Sequence, residues 1–423
     1  MGNAGVTAGR QSLNVRPQRG VTRGHPLQEH TMSQYQRMLV IALGAGLAAA
    51  CGDQGPASLA APSQSAGIEA AAVKFWEAGA TARWNELATS LADQTPADQS
   101  RLYAYLSLAQ FRAAEAAAAV RPHPPTSAAI GGASAIVLAA FFPASTATIE
   151  ATLDAQAAAP WPGAIHADFA AGEAMGREVG AKVMEYAAGD GVGLTDPGTP
   201  PIGAGYWLWN GGPKVRGNYQ ARPFFLTSGD ELLPPPPPTF GSGAYQTALE
   251  EVRHVSDTRT TEQLAIANFW NVQQSGRRNA PFNNVAVELI RSHRVQDAEA
   301  ARIMFLMNAA MFDALVGCFN AKYTYWFVRP SQADPGITLP IGLPPHPSYP
   351  SAHSCVSGSM SGVLMAEFPD ARERLETMAQ EASISRLYGG IHYRFDMNAG
   401  LALGRAAAAK ALAADLDAVA PLP

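Results

Sequence analysis

Three short segments in the C-terminal third of the chain concentrate side chains that bind anions or move protons. KYTYWFVRP sets Lys322 and Arg329 near the expected end of a helix that stops before Pro330. PSYPSAHSC is a Pro-flanked turn carrying Ser351 and His353, and an apolar, helix-like stretch follows it. SRLYGGIHYRFD holds Arg386, His392 and Asp396, with Gly389 and Gly390 expected to end one helix before His392 and Asp396 start the next. Each segment alone has a plain explanation. Basic residues suit a helix C-terminus, a Ser suits a helix N-cap, and a His–Asp pair four apart is ordinary on a helix face. Together they describe a pocket. Two guanidiniums, an ammonium, a hydroxyl and a helix N-terminus suit a tetrahedral oxyanion with several negative charges. A carboxylate beside His392 can hold its Nδ1–H and leave Nε2 for the central atom of that anion, while His353 serves as acid–base at the opposite pole. No Cys/His set with zinc spacing competes with this reading.

The elements that must position these residues are helices. The chain has 423 residues, 47% of them hydrophobic and 15% charged, with a formal net charge of -5. No basic block with interleaved aromatics is present, so a nucleic-acid partner is not expected. Ala is abundant, β-branched runs are few, and no strand-like alternation would build a large sheet. KFWEAGATARWNELATSLA, DQSRLYAYLSLAQFRAAEAAAAV, YQTALEEVRHVSD and the long QDAEAARIMFLMNAAMFDALVGCFNAKYTYWF all carry helical spacing, with Asp98 placed as a cap near the start of the second. SAAIGGASAIVLAAFF is apolar nearly all round and should be a buried helix. The expected fold is all-α, a multi-helix bundle.

One stretch breaks the pattern. Residues 187–243 are rich in Gly and Pro and contain five consecutive prolines, 234–238. Polyproline II is expected there, as a stiff strap over the protein's own surface. The N-terminus also departs from globular sequence. From Met32 the chain reads as a short basic region, an apolar run and small residues ending at Cys51, which describes a signal peptide. The terminal Cys resembles a bacterial lipoprotein signal, with lipid on Cys51. Ala48 stands where that signal prefers Leu, so plain secretion is the alternative. The expected organisation is extension and signal peptide in 1–51, flexible tether in 52–67, and one helical domain in 68–423 with its site in 315–400. An exported chain also raises the prospect of a Cys318–Cys355 disulfide, against two buried free thiols.

In their order and internal spacing, K-x6-RP, PS-x-H and SR-x5-H-x3-D resemble the signature shared by vanadium-dependent haloperoxidases and type-2 phosphatidic acid phosphatases. ARWNELATSLA, YLSLAQFRAAEAA, VLAAFFP and RTTEQLAIANFW also resemble the N-terminal half of bacterial haloperoxidase-like proteins, so the resemblance covers most of 68–423. It implies that Lys322, Arg329, Arg386, Ser351 and the backbone N–H of Ala352 bind the oxygens of vanadate or phosphate. It implies that His392, supported by Asp396, is the attachment to vanadium, and that His353 is the acid–base group. In a haloperoxidase, hydrogen peroxide and halide, with a small organic acceptor, give halogenation without a change in vanadium redox state. In a soluble phosphatase, the same His392 attacks phosphorus. A non-catalytic, oxyanion-binding envelope lipoprotein is a third reading. His346 stands where bromoperoxidases are similar and chloroperoxidases carry an aromatic, which favours bromide. Ala352 is a departure, because the family motifs have Gly there.

Overall fold

Helix after helix follows the apolar periodicity. The structure, a computed structural model, describes residues 79–95, 97–158, 166–271 and 280–420, without the side chains of 166–168. The expected signal peptide, Cys51 and the expected tether lie outside the described residues. The first five helices among the described residues are α1 (Ala80–Gln94), α2 (Gln99–Ala119), α3 (Thr126–Phe141), α4 (Thr146–Ala157) and α5 (His166–Ala188). Asp98 caps α2 as expected, accepting from the Ser100 and Arg101 amides. α3 is buried over most of its surface and lies along α5, an approach that needs glycine. A methyl on Gly176 would stand 1.9 Å from the Ala129 carbonyl oxygen.

After the excursion come α6 (Gly243–Thr258), α7 (Thr261–Phe269), α8 (Ala280–Ser292) and α9 (Asp297–Tyr325). The four-residue α10 (Pro330–Ala333) leads to α11 (Ala352–Glu367), α12 (Arg372–Tyr388) and α13 (Arg394–Leu412). The described residues contain no sheet; Tyr206 and Phe327 form an isolated bridge. All described residues belong to one compact unit, Pro62–Pro423.

α9 is the axis of that unit. It is long and apolar enough to cross a membrane, yet 94% of its apolar window is buried, as in the core helix of a folded domain. Phe305 and Phe312 face an apolar cluster built with α1–α5. Met304, Met307, Met311 and Leu315 face a second cluster built with α8, α11, α12 and α13. The site therefore hangs from a helix gripped on all sides, which limits how far its residues can drift.

The excursion between α5 and α6 is tied down by hydrogen bonds. The Trp207 amide donates to the Trp326 carbonyl at 2.6 Å, and the Val215 amide donates to the Pro345 carbonyl at 3.1 Å. Tyr325 and Tyr349 hydroxyls donate to the Pro234 and Pro235 carbonyls, each at 2.6 Å. The proline run is thus a strap across the molecule's own surface. Cys318 and Cys355 are both buried free thiols, so the disulfide is not formed.

Candidate active site

Helix ends and turns, rather than helix faces, deliver the site residues. α9 stops because Trp326 adopts a left-handed conformation (φ 50) and its amide closes back on the Lys322 carbonyl. The chain leaves extended, carrying Arg329 inward before Pro330 starts α10. The PSYPS turn contains a cis Tyr349–Pro350 bond and ends at Ser351, the N-cap of α11. The Ser351 amide donates to the Asp396 carbonyl at 2.9 Å. Gly400 permits this contact between turn and helix, since a methyl there would lie 2.6 Å from the Ser351 carbonyl oxygen.

The third segment corrects one expectation. His392 precedes α13, which begins at Arg394, so the His–Asp pair is not a rung on one helix face. Gly390, with φ +72, turns the chain out of α12, and His392 lies in the following extended stretch. Asp396 is the third residue of α13 and reaches back in capping fashion to the Tyr393 amide. That backward reach brings its Oδ2 to His392 Nδ1, 2.8 Å away.

Most of the expected residues lie together, and Arg386 is buried on α12 with partners of its own. Lys322, Arg329, Ser351 and Asp396 are 0% exposed, Arg386 1%, His392 2% and His346 8%; His353 is half-buried. Arg329 Nη1–H donates to His392 Nε2 at 3.0 Å and to the Ile391 carbonyl at 2.7 Å. Guanidinium has no acceptor, so Nε2 must carry a lone pair and Nδ1 the proton. His392 is therefore neutral in the Nδ1–H tautomer. Burial, and then the nearby Arg329 and Lys322, hold its pKa well below the usual imidazole range. Arg329 Nη2 also donates to His346 Nδ1 at 3.0 Å, so His346 is a buried partner of that guanidinium and not a solvated loop residue.

Two buried cations, Lys322 and Arg329, lie close to the Asp396 carboxylate, and a third, Arg386, is buried without one. Burial pushes Lys322 down to about 8, Arg329 to about 10 and Arg386 to about 9. Burial also pushes Asp396 up to about 6. Arg386 donates to Ser385 Oγ and the Ala267 carbonyl and has no carboxylate partner among the described residues. An anion would relieve this charge excess. The donors suit oxygens: forked guanidiniums, a helix N-terminus and a hydroxyl. Among the described residues no group of three or more His, Cys, Asp or Glu is placed to hold a bare metal ion. The residues present thus fit an oxyanion such as vanadate or phosphate.

Two expected residues sit differently from a simple cradle. Lys322 Nζ donates to the carbonyls of Pro347 (3.0 Å), Ser348 (2.9 Å) and Pro350, so its hydrogens grip the PSYPS turn. His353 Nε2 is 2.7 Å from the Trp270 carbonyl, which orients the ring at the edge of the site. Ala352 opens α11 in right-handed helical conformation, with its methyl in the apolar cluster, so the site needs no glycine angle there. Sequence reasoning missed Ser348, whose hydroxyl donates to Asp396 Oδ2 at 2.5 Å. Beside two prolines it reads only as a turn former.

Residues 302–417 match the family model of the PAP2 superfamily. This segment belongs to the PAP2 superfamily. The bacterial vanadium-dependent iodoperoxidase described as the first of its kind superposes with TM-score 0.65 at 25% identity, covering 79% of this chain and 94% of that one. Apo and holo forms of a bacterial vanadium-dependent chloroperoxidase superpose with TM-scores of 0.55, at 14% and 13% identity. They cover 73% and 74% of this chain, and 92% and 91% of their own. The PAP2 segment therefore sits within a helical fold shared along most of its length with haloperoxidases. Comparison with curated proteins found no match.

Proposed function

We propose that this chain is a vanadate-dependent haloperoxidase, oxidising halide with hydrogen peroxide to a hypohalous species, bromide in preference. One observation carries the reading: a buried, neutral His392 whose Nε2 lone pair meets the buried Arg329 guanidinium, with the buried Lys322 charge close by. Bound vanadate would supply the Lewis acidity that activates peroxide toward halide without changing its own redox state.

The protein's part is binding, orientation and proton handling. Arg329 and Arg386 hold oxygens, with the Ser351 hydroxyl and the Ala352 amide at the positive end of α11. His392 Nε2 is the attachment point, and the Arg329 Nη1–H that donates to it here would pass to an oxygen of the bound anion. Lys322 adds positive charge from behind the turn. His353, oriented by the Trp270 carbonyl, gives and takes the proton at the outward pole. His346 touches Arg329 and packs edge-on against Phe319, with ring centroids 5.4 Å apart, and tunes halide preference through that guanidinium. A small organic acceptor would take the halogen.

Reconstitution with orthovanadate, then bromination of monochlorodimedone with bromide and peroxide, tests the reading; chloride and iodide run in parallel rank the halides. No halogenation together with p-nitrophenyl phosphate hydrolysis would replace it with a phosphatase using His392 as nucleophile. Phosphate binding with neither activity would leave a non-catalytic anion binder. His353→Ala should lose turnover and keep anion binding. We also read the chain as exported, as an envelope lipoprotein anchored at Cys51 or as a secreted protein; palmitate labelling lost in Cys51→Ala separates the two.

A further inference from the structure

Arg329 meets His392 at Nε2 and Asp396 holds it at Nδ1, so whatever holds Asp396 steadies one of the two contacts that set the ring's tautomer. Its Oδ2 receives three hydrogens, from Ser348 Oγ at 2.5 Å, His392 Nδ1 at 2.8 Å and the Tyr393 amide at 3.2 Å. Its Oδ1 is buried and has no partner. A carboxylate held by one oxygen alone can pivot about it, and a buried bare oxygen is costly, so each donor on Oδ2 matters more than usual. Of the three donors, the Tyr393 amide is the longest contact and belongs to the same helix start as Asp396. His392 is the group to be oriented. Ser348 is the one that reaches Asp396 from a separate segment.

Ser348 is itself held on every side. It is 0% exposed, and its amide donates to the Phe327 carbonyl at 2.9 Å. Lys322 Nζ grips its carbonyl and those of Pro347 and Pro350, the residues on either side of the Ser348–Tyr349 pair. The hydroxyl thus sits on a turn braced from the end of α9. We infer that Ser348 is a positioning residue that fixes the Asp396 carboxylate, and through it the Nδ1–H tautomer of His392, with Lys322 bracing the turn that carries it. Ser348 acts through Asp396, the carboxylate to which its hydroxyl donates. Its contribution is also electrostatic: burial pushes Asp396 up, and the Ser348 hydrogen bond is the leading influence against that rise.

The inference rests on reading His392 Nε2 as the atom that meets the anion, but its test does not need turnover. Nitrogen-15 NMR of the full chain labelled at histidine, at one pH near neutrality and assigned with His392→Gln, reads the tautomer directly. Wild type and Ser348→Thr should show His392 protonated at Nδ1 alone. Ser348→Ala should show a mixed or exchange-broadened ring while inorganic phosphate still binds. If the chain halogenates, Ser348→Ala should lower kcat roughly tenfold with little change in KM, and Ser348→Thr should recover most of it. A wild-type His392 spectrum in Ser348→Ala overturns the inference. So does a folded Ser348→Thr that fails to restore the tautomer. A chain that brominates nothing yet shows the tautomer change would sink the haloperoxidase reading and keep this one.

Discussion

Two aspartates among the described residues are wholly buried, Asp313 in the middle of α9 and Asp396 in the first turn of α13. Each accepts three hydrogen bonds. Asp313 spreads them over both oxygens, taking the Phe224 amide on Oδ1 at 2.7 Å, and the Phe225 and Leu226 amides on Oδ2 at 2.7 and 3.1 Å. All three donors are backbone, and all come from one short stretch of the excursion. Asp396 loads a single oxygen, chiefly with side chains, leaves the other bare, and lies among cations that hold its pKa down. Burial raises both carboxyls, Asp313 to about 7 and Asp396 to about 6. Depth and hydrogen-bond number therefore do not separate an anchor from a working carboxylate. The kind of donor, the unused oxygen and the surrounding charge do.

The sharpest way to break that comparison acts on the residue that Asp396 serves. His392→Ala should lower turnover roughly a thousandfold or more, because it removes both the attachment point and the reason for the tautomer. Asp396→Ala should cost roughly 10- to 100-fold in anion affinity or activity, since it leaves the imidazole unoriented. Halogenation kinetics and phosphate titration calorimetry check both. Near-normal turnover in His392→Ala would sink the assignment of the central ligand.

Asp313→Ala should behave in the opposite way. Two buried amides and one part-buried amide would lose their acceptor, at a cost of about 3 kcal/mol or more, while phosphate affinity of the folded fraction stays unchanged. Chemical denaturation and calorimetry read the two effects separately. If Asp313→Ala weakened anion binding as much as Asp396→Ala, the division between anchor and working carboxylate would fail.

The two carboxylates also differ in how visible they are in sequence. The oxyanion pocket can be read there because its chemistry needs particular side chains at fixed spacing: Arg329 before Pro330, Ser351 two before His353, His392 four before Asp396. The helices can be read because the apolar faces repeat with helical period. Asp313 cannot, because its partners are amides almost ninety residues earlier, and amides carry no side-chain signature. Ser348 is hidden for a related reason, since a Ser near prolines already has an explanation as a turn residue. The His–Asp pair was legible in its partners but not in its geometry. Spacing of four fits a helix rung, and only the glycine exit at Gly390 moves His392 off the helix.

Charge balance offers a gentler test of the site half of the comparison. Burial lowers Lys322 from 10.5 to about 8, so the pocket gives up one positive charge as pH rises through about 8. Unfolded lysine keeps its proton to about 10, so over that interval the unfolded chain binds more protons. From this group the ligand-free protein gains stability as pH rises, and the penalty is fullest below pH 8. An oxyanion offsets that penalty most where Lys322 is charged. Phosphate affinity should therefore fall roughly tenfold between pH 7 and pH 9, with a matching loss of the phosphate-induced rise in Tm. A Tm shift independent of pH would mean that Lys322 charge does not reach the anion.

Ala352→Gly should have the smallest effect, and it asks whether the one departure from the family pattern matters. The donor proposed for the anion at this position is the backbone amide, which survives either residue. Ala352 is the first residue of α11, where right-handed angles suit Ala better than Gly, and its methyl packs with apolar neighbours behind the cradle. The substitution should lower stability by up to about 1 kcal/mol and leave phosphate and orthovanadate affinity unchanged. Thermal denaturation and calorimetry of the two proteins decide the point. A variant that bound either oxyanion roughly tenfold more tightly would show the methyl crowding the bound oxygens, and would make Ala352 a brake on the site and not a neutral replacement.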